Sequence, residues 1–163
     1  LPDQGPFVIR YPRGRGLICD WKQPFKPIVV GTGQCIKEGT DVAVLSIGPI
    51  GNIAHEAIKL WEENSGKSAA LFDMRFLKPL DTELLHKIAK EYNRIITIEN
   101  GTVLGGLGSA VMEFMAENNY KPSIIRLGLP DQFIEHGSTP QLLHLCNIDN
   151  EAVIDALNRI VKQ

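Results

Sequence analysis

The sequence predicts an α/β domain of three layers: a mostly parallel sheet of about five strands, one antiparallel edge strand, and helices on both faces. Two observations carry this. Four short runs, 42–47 (VAVLSI), 68–72 (SAALF), 94–98 (RIITI) and 123–127 (SIIRL), are nearly continuous in apolar residues rather than alternating. Strands buried on both faces read this way. Between these runs lie segments of helical period, and strand–helix alternation at this spacing builds parallel, right-handed crossovers.

The elements follow in chain order. Residues 7–11 read as extended, and 14–27, rich in Gly, Pro and charge, read as a loop. Residues 28–35 and the run at 42–47 flank Lys37-Glu38-Gly39-Thr40-Asp41, a hairpin-type turn, which predicts the antiparallel strand. The first helix is expected over 53–61, where Ile53, Ala54, Ala57, Ile58 and Trp61 share a face. A second is expected over 82–90, carried by Leu84, Leu85, Ile88 and Ala89 with Asp81 placed to cap its start. A third over 109–117 uses Ala110, Val111, Phe114 and Met115. Residues 128–140 read as a loop, 141–146 as a short helix, and 151–161 as a final helix with Val153, Leu157, Ile160 and Val161 on one face.

The chain of 163 residues is one domain's worth, enough to bury roughly 70% of its unfolded surface without staples. A net charge of −2 gives no electrostatic pull towards nucleic acid or an anionic membrane. No apolar run approaches the ~20 residues of a membrane span, and no signal-peptide pattern opens the chain. Leu1-Pro2-Asp3-Gln4-Gly5-Pro6 reads as the interior of a longer polypeptide. Cys19, Cys35 and Cys146 are odd in number and widely spaced, as expected of free thiols in a reducing cytoplasm.

Few motifs carry chemistry by themselves. Gly101, Gly105, Gly106 and Gly108 lie between a strand and a helix, but not in the Gly-x-Gly-x-x-Gly register of a dinucleotide site. Close packing of the turn is the favoured reading. Glu99 sits at a strand's carboxyl end, where open α/β sheets place functional groups, but a surface or interface carboxylate is the favoured reading. His55-Glu56 lacks the second histidine of a zinc site, because Lys59 stands there. His55, His86 and His144 read as solvated helical histidines. The most loaded stretch is Arg10-Tyr11-Pro12-Arg13-Gly14-Arg15. Arg13, held between Pro12 and Gly14, is a credible phosphate ligand, since a guanidinium grips phosphate bidentately; composition alone fits an ordinary surface loop equally well.

Four signatures in order make the chain recognisable: Arg10-Tyr11-Pro12-Arg13-Gly14; Asp73-Met74-Arg75-Phe76-Leu77-Lys78-Pro79-Leu80-Asp81; Glu99-Asn100 with Gly105-Gly106-Leu107-Gly108-Ser109; and Gly128-Leu129-Pro130-Asp131-Gln132-Phe133-Ile134-Glu135-His136-Gly137. Together they resemble the carboxy-terminal part of the 1-deoxy-D-xylulose-5-phosphate synthase family, within the transketolase and 2-oxo-acid dehydrogenase superfamily. Ile98 is a departure, standing where that family often has a second acidic residue. The alternative is the same domain of a transketolase or of a 2-oxo-acid dehydrogenase E1 beta subunit.

The resemblance implies a cytoplasmic, homodimeric transferase that uses thiamine diphosphate and Mg²⁺ to condense pyruvate with D-glyceraldehyde 3-phosphate, releasing CO₂. It implies two parts here: an inter-domain segment over 1–27 and a transketolase C-terminal-like domain over 28–163. The Gly-Asp-Gly…Asn motif that holds the diphosphate and metal is absent. The chain alone is therefore expected to be inactive and to bind no cofactor or metal. Its partners would be the enzyme's own amino-terminal and central domains, with no nucleic acid or membrane. The resemblance gives Arg13 the substrate phosphate. It gives Glu99, Asp73 and Arg75 contacts between domains or at the active-site edge. Asp73, Arg75 and Asp81 are expected to fix a strand–loop–helix junction. Phe133, Ile134, Glu135 and His136 are expected to pack against the rest of the enzyme.

Overall fold

The computed structural model describes Gly5, Pro24 and residues 26–163. The extended stretch expected at 7–11 and most of the loop at 14–27 lie outside the described residues. From there the elements run β1 (Gln34–Lys37), β2 (Val42–Ile47), α1 (Ile50–Ser65), β3 (Ala69–Asp73), α2 (Thr82–Glu91), β4 (Arg94–Thr102), α3 (Leu107–Glu117), β5 (Ser123–Leu129), α4 (Thr139–Leu145) and α5 (Asn150–Ile160). The five-stranded sheet has the order β1-β3-β2-β4-β5. β3, β2, β4 and β5 are parallel, and β1 is antiparallel at the edge.

Continuous apolar strands follow from helices on both faces. Val42 and Val44 of β2 meet α1 through Ala54, Ala57, Ile58 and Trp61, and α5 through Val153, Ala156, Leu157 and Ile160. The alternate residues Ala43 and Leu45 meet Leu85 and Ile88 of α2 and Leu107, Val111, Phe114 and Met115 of α3. Successive side chains of a strand point to opposite faces, so every position of β2 must be apolar or internally bonded. Ser46 is buried and donates to the Phe72 carbonyl at 3.1 Å. On the first face, the Trp61 indole N–H also donates to Asn158 Oδ1 at 3.0 Å, joining α1 to α5.

Local chemistry sets the helix ends. Asp81 Oδ1 accepts from the Leu84 amide at 2.9 Å, as the expected cap of α2. Its Oδ2 accepts from the Gly33 amide at 2.8 Å, which pins the segment before β1 to the same helix start. Asp149 caps α5 through the Ala152 amide at 2.9 Å. α1 is longer than 53–61, because it continues to Gly66, whose φ of 65° ends the helix in the left-handed region.

Two expectations are corrected. The first strand is Gln34–Lys37 rather than 28–35; the amide of Thr32 turns back to Val29. Its neighbour is β3 and not β2, with Cys35 opposite Phe72. The link between β1 and β2 is therefore not a hairpin, and it passes over the amino-terminal end of β3. The Asp41 amide donates to the Ser68 carbonyl, and the Ser68 amide to Asp41 Oδ2, each at 2.9 Å. Gly39 lies at the crossing, where a Cβ would overlap the Ala69 carbonyl carbon and the Ala70 nitrogen. Turn composition gave the loop, but close backbone approach dictates the glycine.

Gly39→Ala is expected to lower stability by about 1–3 kcal/mol, the usual cost of forcing extra atoms into a filled site. Chemical denaturation measures it. An unchanged midpoint would show that the link lifts off β3 without cost.

Candidate functional site

The chain leaves β2 towards β3 on one side of the sheet and leaves β4 towards β5 on the other. The adjacent carboxyl ends of β2 and β4 thus form a topological switch point, the place where open α/β sheets hold ligands. A crevice of about 510 Å³ opens there. Ile47, Gly48, Pro49, Ile50 and Ile53 line it from the β2–α1 side, Glu99, Asn100 and Gly101 from β4, and Thr139 and Leu143 from α4. Apolar walls with a few polar groups are typical of small-molecule sites. A more open hollow of about 700 Å³ lies beside the start of α2, lined by Gly31, Thr32, Lys87 and residues 80–84. It shares no residue with the switch point.

Glu99 is the organising side chain at this end of the sheet. It is 5% exposed. Its Oε2 accepts from the Leu107 amide and its Oε1 from the Gly108 amide, each at 2.9 Å. α3 has no side-chain cap from its own N-cap residue, Gly106. Glu99 supplies one from the neighbouring strand, placing a carboxylate against the positive end of the helix. The approach demands glycines. A Cβ on Gly106 would overlap the Glu99 carboxylate and the Thr102 carbonyl, and one on Gly108 would lie 2.7 Å from Thr97 Oγ1. The glycine cluster serves close packing, and a carboxylate fills the helix end that a phosphate would need. Arg126 closes the turn, donating to the Val103 carbonyl at 2.9 Å and to Ser109 Oγ at 3.2 Å.

The other expected site residues are placed apart. Asp73 ends β3 and accepts from the Arg75 amide at 3.0 Å. Arg75 has a φ of 55°, and its guanidinium donates to Gln34 Oε1. Both lie at the β3–α2 junction and outside the crevice lining. Arg13 lies outside the described residues. Phe133 is fully exposed, while Ile134 packs against the core. Sequence reasoning missed Gly48, Pro49, Thr139 and Leu143 as crevice residues. Gly48-Pro49 between an apolar strand and a helix was the available signal; Thr139 and Leu143 gave none.

His86 is not solvated. It packs edge-on to Phe114 at 4.8 Å, with Nδ1 3.0 Å from the Tyr120 hydroxyl. His144 is exposed but paired, its Nδ1 lying 2.7 Å from Asp149 Oδ2. That hydrogen bond and the carboxylate's charge raise the imidazole above its ordinary value. Partial burial pushes the Asp149 carboxyl up, but hydrogen bonds from the Ala152 amide and from His144 outweigh it, leaving the group below the usual range. The signs fix a window. His144's contribution to stability is full below about 6.5, the imidazole's unfolded value, and is lost as pH rises through the raised folded value. Asp149's contribution is present above the ordinary carboxylate value and is lost as pH falls through the lowered one.

Residues 31–153 match the family model of the transketolase C-terminal domain. The chain is 54% identical over 157 residues to 1-deoxy-D-xylulose-5-phosphate synthase of Phocaeicola vulgatus, covering 96% of this chain and 25% of that one. It is 38% identical over 160 residues to the synthase of Bacillus mycoides, covering 98% of this chain and 25% of that one. The chain thus spans about a quarter of the length of the curated relatives it matches. Among solved structures it resembles a split-gene transketolase, an inactive beta4 tetramer, with a TM-score of 0.76 and 34% identity, covering 86% of this chain and 44% of that one. Transketolase from Leishmania mexicana shares the fold, with a TM-score of 0.60 and 12% identity over 81% of this chain and 18% of that one.

Replacing Glu99 tests its hold on α3. Glu99→Gln turns one acceptor into a donor facing an amide, and is expected to cost about 1.5–3 kcal/mol, the range for a charged hydrogen bond. Thermal unfolding gives the size, and faster amide exchange at residues 107–110 gives the place. A loss spread evenly over the domain would contradict a local cap.

Proposed function

Because the chain belongs to the transketolase C-terminal domain family, we propose that it is the carboxy-terminal domain of a 1-deoxy-D-xylulose-5-phosphate synthase. The observation that carries this is the 54% identity running over 96% of the chain. Support comes from the Tyr11-Pro12-Arg13-Gly14 and Gly128–Gly137 signatures, which lie at opposite ends of the matched sequence.

The whole enzyme would join pyruvate to D-glyceraldehyde 3-phosphate and release CO₂, serving isoprenoid, thiamine and pyridoxal precursor synthesis. Thiamine diphosphate with Mg²⁺ supplies the carbanion chemistry when bound. This chain's residues do not fit that cofactor. The sequence lacks Gly-Asp-Gly, and Glu99, the buried carboxylate of the crevice, has both oxygens committed to helix amides. The domain's work is instead to place Arg13 at the substrate phosphate and to present Asp73, Arg75 and the strand carboxyl ends to neighbouring domains of a homodimer. No helix among the described residues is long and apolar enough to cross a membrane.

A second reading, a transketolase, draws on the split-gene transketolase at 34% identity. The substrates separate the two. A protein containing this chain that passes ketol groups between sugar phosphates, and ignores pyruvate, is a transketolase.

Two measurements test the assignment. Titration calorimetry of the chain with thiamine diphosphate and Mg²⁺ should show no binding at micromolar concentrations. A micromolar or tighter complex would relocate the cofactor site. In the full-length enzyme, Arg13→Ala should reduce catalytic efficiency with glyceraldehyde 3-phosphate by about 10- to 150-fold, the loss of a bidentate charged contact. Unphosphorylated glyceraldehyde should be used almost equally by mutant and parent. Equal damage with both acceptors would make Arg13 a structural residue of the domain junction.

A further inference from the structure

We propose that α4 is a movable wall of the switch-point crevice, latched by protonated His144 on Asp149 and released as the imidazole loses its proton. The geometry supplies each part. α4 has seven residues, none of them buried, yet Thr139 and Leu143 form one side of the crevice. Helices this short have little stability of their own. The capping box between Ser138 and Gln141 is internal, so it stiffens α4 without attaching it to the sheet. The far end is anchored by buried Cys146 and Ile148, with Asn147 between them in the left-handed region at φ 54°. Among the described residues, His144–Asp149 is the side-chain hydrogen bond joining α4 to another helix.

One carboxylate does two jobs. Asp149 Oδ1 caps α5 through the Ala152 amide, and Oδ2 holds His144. Asp149 is therefore fixed by α5, while α4 is held besides by Leu143, which packs against the core and accepts from the Ile148 amide at 3.0 Å, so loss of the latch loosens α4 without detaching it. The groups facing the imidazole come from several elements. Asp149 and Glu151 of the α5 start bring their ligand atoms within 4.8 Å of it and favour the charged ring. Asp155 and Arg159 of α5 line the same depression as an ion pair at 3.4 Å. β5 contributes Leu127, which carries no charge. A neutral ring keeps at most a hydrogen bond and loses the attraction of two carboxylates. The raised imidazole and lowered carboxyl agree with such a pair. Neither geometry nor charge here depends on which transferase the domain serves.

The test is hydrogen exchange by mass spectrometry on the intact protein that contains this chain, with a chelator present so that protons alone compete for the carboxylates. Labelling times are scaled to the intrinsic rate at each pH. Between about pH 5.5 and about pH 8.5, opening of residues 139–145 should rise roughly two- to five-fold, the scale of an exposed ion pair. Residues 47–53, on the crevice's opposite side, should follow, while 150–160 of α5 stay constant. His144→Gln removes the titrating ring, and Asp149→Asn removes the charge while keeping a competent cap. Both should abolish the pH dependence and show the open-side value throughout. A flat profile in the parent, an unchanged rise in both variants, or a rise shared by α5 would overturn the proposal.

Discussion

The carboxylate of Glu99 against the first amides of α3 is the contact on which this end of the domain depends. It sits where a continuous apolar strand reaches the sheet's edge and must hand over to a helix packed on one face. Burying an ionised carboxyl costs several kcal/mol unless hydrogen bonds compensate. Here both oxygens are bonded to the amides that the helix would otherwise leave open. From this follow the glycine at 106 and the close seating of α3 on β4, where Gly108 in turn meets Thr97 and Arg126; Asn100 and Gly101, next along the strand, lie on the crevice rim. The strand end that would ordinarily offer a reactive group to a ligand has been turned inward to hold the scaffold.

That arrangement agrees with the proposal that the domain supports chemistry performed elsewhere. The matched relatives are about four times longer than this chain. What the described residues contribute is a rigid two-faced sheet, a loop with a fully exposed Phe133, and polar groups at the β3–α2 junction bonded to its own backbone and to Gly33 and Gln34. Rigid placement of a few surface groups is a contribution that a domain can make to a larger enzyme.

Much of this was legible in the residues. The run VAVLSI occupies β2 without a residue added or lost, because burial on both faces leaves no other composition open to it. Asp81 caps α2 as its spacing before the apolar positions required. The partner of β1 was not legible. A Gly-containing turn between two extended segments has the same composition whether the strands pair directly or flank a third. Long-range contacts distinguish them: Cys35 opposite Phe72, Asp41 with Ser68, and Gly39 against Ala69. The crevice was half legible for a similar reason. Glu99 and Asn100 stood at a strand's end in the sequence, but Thr139 and Leu143 come from a helix some forty residues later, which only the folded chain brings back. His86 misled because a partly buried imidazole between Phe114 and Tyr120 carries no local mark.

The crossing at Gly39 has a consequence for how the domain assembles. β1 pairs with β3, yet the link to β2 spans the start of β3. β1 thus hangs on the outer edge of β3 while the short link at 38–41 tethers it to β2. On a folding path in which β2 and β3 pair before β1 joins them, weakening β1 would act mainly on the rate of unfolding and leave the rate of folding nearly untouched.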